Sequence, residues 1–232
     1  ADDILPNAPK TALLIDCSTI DVDSARAVAA LQPDGIILTP PHSDNPQIVQ
    51  CLAQQQIPFA RIGSKAQDQG MPILMDDEGA AAAATRHLIA RGHRRIGFIA
   101  GSPDYNLSGW RIDGWKAAMA EAGLPSDDLL QAGDFTYASG ERAAQALLAL
   151  PSPPTAIIAS SDQMTLAALE VARKAGLAVP HDLSLISFTK HPTAFDITGY
   201  LICSKYFKGI SHKKSLRLYE LRTKPTRPLK FN

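Results

Sequence analysis

The sequence lacks the features that mark several classes of protein. Its three cysteines are scattered and odd in number, which argues against a disulfide framework and for a reducing compartment. No Cys or His spacing is typical of a metal site, so we expect neither a metal ion nor a cofactor. No apolar run reaches the ~20 residues that span a bilayer, so no membrane contact is expected. The first ten residues do not resemble a signal peptide, which predicts a cytoplasmic protein.

Sequence templates for enzymes are absent as well. There is no Gly-x-Ser-x-Gly elbow and no glycine-rich loop of the kind that cradles phosphates. No cysteine stands where a histidine and a helix start would activate it as a nucleophile. We therefore expect a protein that is not an enzyme.

Short apolar runs alternate with segments of helical periodicity along most of the chain. The predicted strands are 11–15, 35–38, 59–62, 73–75, 96–100, 129–132, 156–159 and 183–188. The predicted helices are 24–31, 46–55, 76 or 77 to 91, 108–122, 139–150 and 162 to about 175. This alternation predicts an α/β fold with parallel sheets and right-handed crossovers.

The segment 154–188 is the most informative part of the chain. It reads as strand, turn, helix, turn and strand, with Ser160, Ser161 and Asp162 at the first turn. Ligands of open α/β sheets bind beyond the carboxyl ends of the strands, which is where Asp162 is expected to lie. The alternative is that Asp162 only caps the helix that it precedes.

Four motifs carry a resemblance to a known family. They are GHRRIGFIAG (92–101), RIDGW (111–115), GDFTY (133–137), and SD (161–162) followed by GLAVPHDLS (176–184). In this order they resemble the effector-binding domain of the LacI/GalR family of bacterial transcription regulators, over about residues 33–188. The resemblance implies a two-lobed periplasmic-binding-protein-like fold in which each lobe is a parallel sheet flanked by helices. A ligand would lie between the lobes.

The resemblance divides the chain into three parts. Residues 1–100 are expected to form the N-terminal lobe, without the strand-helix unit with which the family begins. Residues 101–188 are expected to form the C-terminal lobe. Residues 189–232 match nothing in the family, so we expect a truncated domain with an atypical basic tail.

Three residues are the candidates for ligand binding that the resemblance implies. Arg111 would donate paired hydrogen bonds to effector oxygens, because a planar guanidinium presents its donors in fixed geometry. Phe135 would pack against the flat face of a sugar or purine. Asp162 would accept hydrogen bonds from effector hydroxyls. The structural alternatives are a solvated helix arginine, a core phenylalanine and a helix cap.

The other polar side chains in these motifs are better explained by structure. His93, Arg94 and Arg95 follow the glycine that ends a helix, where cations favour the negative helix end. The paired carboxylates of residues 76 and 77 are expected to cap a helix rather than to perform acid-base work. Asp134 and Tyr137 are explained by capping or by exposure.

The net charge of zero conceals an asymmetry. Residues 1–188 hold 13 Lys and Arg against 21 Asp and Glu, whereas residues 189–232 hold 10 against 2. Clustered cations attract phosphates, but no recognisable nucleic-acid-binding fold surrounds these. We expect the tail to be incidental sequence that does not supply the strands and helix with which the family completes its lobes.

The predicted function is therefore that of a ligand-sensing domain in a LacI/GalR-like transcription regulator. The expected partners are a small-molecule effector such as a sugar, a second copy of the chain in a homodimer, and operator DNA. None of these residues forms a helix-turn-helix, so DNA contact would require a separate one. The alternatives are a sugar-binding transport protein of the same fold and a small α/β enzyme.

Overall fold

The computed structural model describes residues 22–188, except 32 and 67, together with the backbone of three short strands beyond residue 199. Its helices are α1 (Val22–Ala30), α2 (Pro46–Gln54), α3 (Asp77–Ala90), α4 (Asn106–Glu121), α5 (Tyr137–Leu148) and α6 (Asp162–Lys174). Its strands are β1 (Ile36–Leu38), β2 (Phe59–Ile62), β3 (Met71–Met75), β4 (Ile96–Ile99), β5 (Leu130–Gln131), β6 (Ala156–Ala159), β7 (Ser184–Ser187), β8 (Tyr200–Cys203), β9 (Phe207–Lys208) and β10 (Arg217–Glu220). The α/β prediction is confirmed.

The chain divides into two compact units, the first ending at Leu74 and the second beginning at Met75. A four-stranded sheet has the order β1-β2-β3-β9, and a six-stranded sheet has the order β10-β8-β7-β6-β4-β5. The pairs among β1, β2 and β3, and among β4 to β7, are all parallel. Parallel sheets with helical crossovers are what the alternating sequence pattern predicts.

The first unit has a small core on one side of its sheet. Ile48, Val49 and Leu52 of α2 pack there with Ala25 and Ala29 of α1. Asn45 starts α2, because its side chain accepts hydrogen bonds from the backbone N–H groups of the first turn. This capping satisfies donors that would otherwise lack a partner.

The second unit is a sheet covered by helices on both faces. Residues alternate along β4, so that Phe98 packs into a cluster with α3 and α4, whereas Ile99 packs into a cluster with α5 and α6. Every residue of β4, β6 and β7 is buried. This burial explains why these strands read as continuous apolar runs rather than as alternating patterns.

The predicted boundary between the lobes, after residue 100, is wrong. β4 pairs with β6 along its whole length, from Ile96 opposite Ala156 to Ile99 opposite Ala159. It is therefore an inner strand of the second unit, and α3 packs on the same sheet. Strand alternation along a sequence does not reveal which strands share a sheet, and this is why the boundary was misplaced.

The tail was expected not to supply the strands with which the family completes its lobes, but its described residues do add strands to both sheets, β9 to the first and β8 and β10 to the second. β8 lies beside β7, with Leu201 opposite Ser187, and β10 pairs antiparallel with β8. A sheet edge offers unpaired backbone groups to any extended segment, and YLIC and RLYE contain the aromatic and apolar residues that favour strands. The strand predicted at 11–15 lies outside the described residues.

Candidate binding site

The point where the order of the second sheet reverses lies between β4 and β6. The chain leaves β4 for α4 on one face of the sheet, and it leaves β6 for α6 on the other face. The two strand ends are joined directly, since both the backbone N–H and the hydroxyl of Ser160 donate to the Ile99 carbonyl. Such a reversal opens a crevice at the carboxyl ends of the strands, where open α/β sheets bind ligands.

Arg111 of α4 contacts the residue that follows β6 and is almost completely buried, with 7% of its surface exposed. Its Nε and Nη2 atoms lie 2.8 and 2.7 Å from Oδ1 of Asp77. Its Nη1 atom donates to the carbonyl of Ser160 over 3.1 Å, and the guanidinium carbon lies 4.5 Å from the centre of the Phe188 ring. Burial lowers the pKa of Arg111, and the Asp77 carboxylate opposes that shift.

Gly114 explains how α4 comes close enough to α3 for this ion pair. It lies one turn after Arg111, and a Cβ atom at this position would be only 2.0 Å from the carbonyl oxygen of Glu78. Only a glycine permits such an approach of two helix backbones. The spacing of arginine and glycine in RIDGW therefore places the guanidinium next to Asp77, the first residue of α3.

Asp162 is the first residue of α6, but it does not cap that helix. Ser161 is the N-cap, and its side chain accepts from the backbone N–H of Met164. The Asp162 carboxylate instead accepts a hydrogen bond from the hydroxyl of Ser187, at the end of β7, over 2.6 Å. The simple capping interpretation is therefore wrong, and the carboxylate lies where two strands end.

Phe135 precedes α5 and has the left-handed φ of 70°. Its ring lies over Gly101, where a Cβ atom would be 2.1 Å from the nearest ring carbon, and it meets the edge of Tyr105 at a centroid distance of 5.3 Å. Its carbonyl accepts from the hydroxyl of Ser161 over 3.1 Å. A positive φ is costly for an aromatic residue and is common where function fixes the backbone.

The three predicted residues are thus connected through one turn. Arg111 bonds to Ser160, Phe135 bonds to Ser161, and Asp162 is the next residue. A buried cation, a partly buried aromatic ring and a carboxylate therefore surround the end of β6. This combination can bind a polar molecule that has both hydroxyl groups and an apolar face.

Asp134 and Tyr137 do not join this group in a comparable way. Asp134 is exposed, and its carboxylate accepts from the backbone N–H and the hydroxyl of Thr136. These bonds and one with Ser139 lower the pKa of Asp134 to about 2. The carboxylate therefore fixes the turn before α5, as the structural alternative predicts.

The basic string after α3 is structural, as expected. Arg94 donates to the carbonyls of Ile89 and His93, near the end of α3. Arg95 binds the carbonyl of Ser152 and the carboxylate of Asp128. The ring of His93 is 2.8 Å from the hydroxyl of Thr155, and burial lowers its pKa. Together these bonds secure the loops at the amino edge of the second sheet.

Three residues of the site were not found by sequence reasoning. Either Asp76 or Asp77 was expected to cap α3; Asp76 is the cap, and Asp77, for which no other role was predicted, pairs with Arg111. Ser187 was hidden in an apolar run, although its place at a strand end could have singled it out. Ser108 lies in the first turn of α4, and within the described residues its buried hydroxyl has no hydrogen-bond partner.

Among the described residues, no group of three or more His, Cys, Asp or Glu side chains is arranged to hold a metal ion. No described helix is both long enough and apolar enough to cross a bilayer.

Comparisons with known proteins identify the family of the chain. The family model of periplasmic binding proteins and the sugar binding domain of the LacI family matches residues 12–196. The HTH-type transcriptional repressor CytR of Escherichia coli (strain K12) is 44% identical over 117 residues, which are 50% of this chain and 34% of that protein. The HTH-type transcriptional regulator CelR of Thermobifida fusca is 36% identical over 165 residues, which are 69% of this chain and 48% of that protein.

A solved structure gives the same result for the fold. The complex of a transcriptional regulator CelR with cellobiose superposes with a TM-score of 0.69 at 32% identity, covering 78% of this chain and 57% of that chain. The chain spans between about a third and a half of the length of the two curated relatives.

Proposed function

Because the chain belongs to the family of periplasmic binding proteins and LacI-type sugar-binding domains, we propose that it is the effector-binding part of a transcription regulator. Its effector is a small polar metabolite of the sugar class. The observation that carries this proposal is the grouping of Arg111, Phe135 and Asp162 around the end of β6, at the reversal point of the sheet.

Each of these residues has a role that suits its chemistry. A guanidinium has five N–H donors, and the bonds of Arg111 to Asp77 and Ser160 leave some of them for an effector oxygen. The ring of Phe135 packs on the C–H face of the effector, and Asp162 accepts from its hydroxyls. Ser108 adds a hydroxyl that an effector oxygen would satisfy.

Regulation follows from ligand binding by a population shift. An effector that binds one arrangement of a regulator better than another shifts the equilibrium toward the first, by at most its difference in affinity. In the complete regulator, a homodimer in the cytoplasm carries this change to a helix-turn-helix that reads operator DNA. The regulators CytR and CelR among the relatives favour this role over transport.

A thermal-shift screen of the full chain tests the proposal. The compounds are mono- and disaccharides, including cellobiose, with nucleosides as the comparison class. A ligand that binds only the folded state at a hundred times its Kd stabilises it by about 2.7 kcal/mol, so at least one sugar should raise the Tm clearly.

The screen can also contradict the proposal. If no sugar raises the Tm while a nucleoside does, the effector class is wrong. If neither class raises it, the binding role itself is contradicted. A sugar that is converted into another product during the assay would favour the enzyme alternative.

A further inference from the structure

Ser187 is a polar residue at the carboxyl end of a buried strand. It is the last residue of β7, all of whose residues are buried, and none of its own surface is exposed. A buried hydroxyl that lacks a hydrogen-bond partner costs free energy, so a serine in such a place needs one. The partner of Ser187 is the carboxylate of Asp162, whose Oδ1 atom lies 2.6 Å from the hydroxyl oxygen.

The backbone around Ser187 is fixed by the sheet. In the parallel pairing of β6 with β7, Ser187 lies opposite Ala159, the last residue of β6. The backbone N–H of Phe188 donates to the Ala159 carbonyl over 3.3 Å. The rigid end of β7 therefore presents the Ser187 hydroxyl to the turn that follows β6.

The backbone of Asp162 is also fixed, by bonds that do not involve its own carboxylate. Ser161 caps α6 by accepting from the backbone N–H of Met164, and its hydroxyl donates to the Phe135 carbonyl. The hydroxyl and the backbone N–H of Thr165 both donate to the Ser161 carbonyl. These bonds set the first turn of α6, but they do not set the side-chain torsion angles of Asp162.

The bond from Ser187 gives the Asp162 carboxylate a defined orientation. An aspartate side chain has three staggered χ1 positions. A short hydrogen bond from a hydroxyl to a carboxylate favours the position that brings Oδ1 to the end of β7. A carboxylate has about four acceptor sites, so this bond does not exhaust its capacity to accept from an effector hydroxyl.

We infer that Ser187 is a positioning residue of the effector site, because it orients the Asp162 carboxylate before the effector binds. This inference rests on the proposed function. A side chain that is oriented in advance loses less conformational entropy on binding, so more of the interaction energy appears as affinity. Ser187 itself does not have to touch the effector.

Ser184 provides a matched control at the other end of the same strand. It is also a buried serine of β7, with 4% of its surface exposed, but its hydroxyl makes a long bond of 3.5 Å to the Pro180 carbonyl. It lies opposite Ala156, at the beginning of β6. Alanine at either position removes one buried hydroxyl from β7, and Ser187→Ala also removes the bond to Asp162.

The experiment uses the full chain as wild type, Ser187→Ala, Ser184→Ala, Asp162→Ala and the double variant with alanine at both 162 and 187. Scalar NMR couplings of Asp162 measure whether its χ1 angle is fixed or averaged, in the absence of any effector. Calorimetric titration with cellobiose as the probe measures binding, and urea unfolding measures stability.

The expected results differ between the variants. Ser187→Ala should average the χ1 angle of Asp162 and weaken cellobiose binding by about tenfold, because hydrogen bonds to charged groups are the strong ones. In the Asp162→Ala background the same substitution should change the affinity by less than about twofold, because the side chain that it positions is gone. Ser184→Ala should change neither the couplings nor the affinity.

Several results would overturn the inference. Unchanged χ1 couplings in Ser187→Ala would show that Ser187 does not orient the carboxylate. Averaged couplings with unchanged affinity, or a loss of stability alone, would show that this orientation does not matter for binding. An equal loss of affinity when Ser187→Ala is added to Asp162→Ala, or in Ser184→Ala, would show that the effect does not act through Asp162.

Two further outcomes keep the test decisive. If Ser187→Ala does not fold, Ser187→Cys replaces it, because a thiol is a much weaker donor than a hydroxyl. If Asp162→Ala abolishes binding, the couplings and affinities of the two serine variants decide. A wild-type chain that does not bind cellobiose counts against the proposed function, and the χ1 couplings then decide on Ser187.

Discussion

Arg111 is held in place by several contacts within the second unit. Its bonds to Asp77 and Ser160 keep the guanidinium in one place, and the Phe188 ring lies against it. A side chain that is fixed in advance loses little entropy when it binds. Because Arg111 is buried, removing the Asp77 carboxylate would leave its charge uncompensated and would lower the free energy of unfolding.

The ion pair of Arg111 gives a prediction at the scale of single residues. We expect Asp77→Asn to lower the free energy of unfolding by about 3–5 kcal/mol, because it leaves a buried charge uncompensated. Glu121→Gln removes an exposed partner of Arg86 and should cost about 0–1 kcal/mol. Urea unfolding of both variants provides the measurement. Similar costs for the two substitutions would show that the Arg111 pair is not effectively buried.

The contacts of Asp77 and Asp162 show what could not be predicted from the sequence at the scale of single residues. The sequence indicated a helix start at residue 76 or 77, and Asp76 is indeed the cap. It could not indicate that Asp77 pairs with an arginine 34 positions later, because that contact depends on how α3 and α4 pack. Asp162 was placed correctly at a strand end, but the choice between Ser161 and Asp162 as the cap depends on backbone geometry.

At the scale of elements, the close crossing of α3 and α4 is the feature on which the site depends. Gly114 allows this crossing, whereas Gly109 in the same helix has no atom within 4 Å of the place where a Cβ would be. The two glycines are therefore a matched pair for substitution.

We expect Gly114→Ala to destabilise the protein by about 1–3 kcal/mol, because overpacking forces the helices apart. Gly109→Ala should instead stabilise it by about 0.5–1 kcal/mol, since alanine favours a helix interior. Thermal or urea unfolding measures both changes. A Gly114→Ala variant as stable as the wild type would show that the two helices do not need this close approach.

Most elements were predictable because their signals are local. β2 and β6 have the predicted bounds, and the other described elements before residue 189 lie within a few residues of theirs. Apolar periodicity and glycines at helix ends are both local features. The pairing of strands is not local, and the predicted boundary after residue 100 failed for this reason.

At the scale of the whole molecule, strand pairing in the tail was likewise not predictable from local sequence features. Its change in charge and composition at residue 189 predicts a different segment, whereas the family model matches as far as residue 196. Composition nevertheless did not reveal that YLIC would lie beside β7, because an open sheet edge accepts backbone partners with little regard for sequence. The family resemblance, in contrast, rested on motifs in a fixed order, and the family match over residues 12–196 confirms it.

We propose that a polar effector binds at the reversal point of the second sheet, with Asp162 in contact with it. Asp134 is the matched control, because it is also a carboxylate near the start of a helix, but its bonds to Thr136 keep it in its own turn. Calorimetric titration of Asp162→Ala and Asp134→Ala with one sugar that binds the wild type is the most direct test. We predict that Asp162→Ala weakens binding by about 1.5–3 kcal/mol and that Asp134→Ala changes it little. Equal losses in the two variants, or a larger loss for Asp134→Ala, would contradict the account.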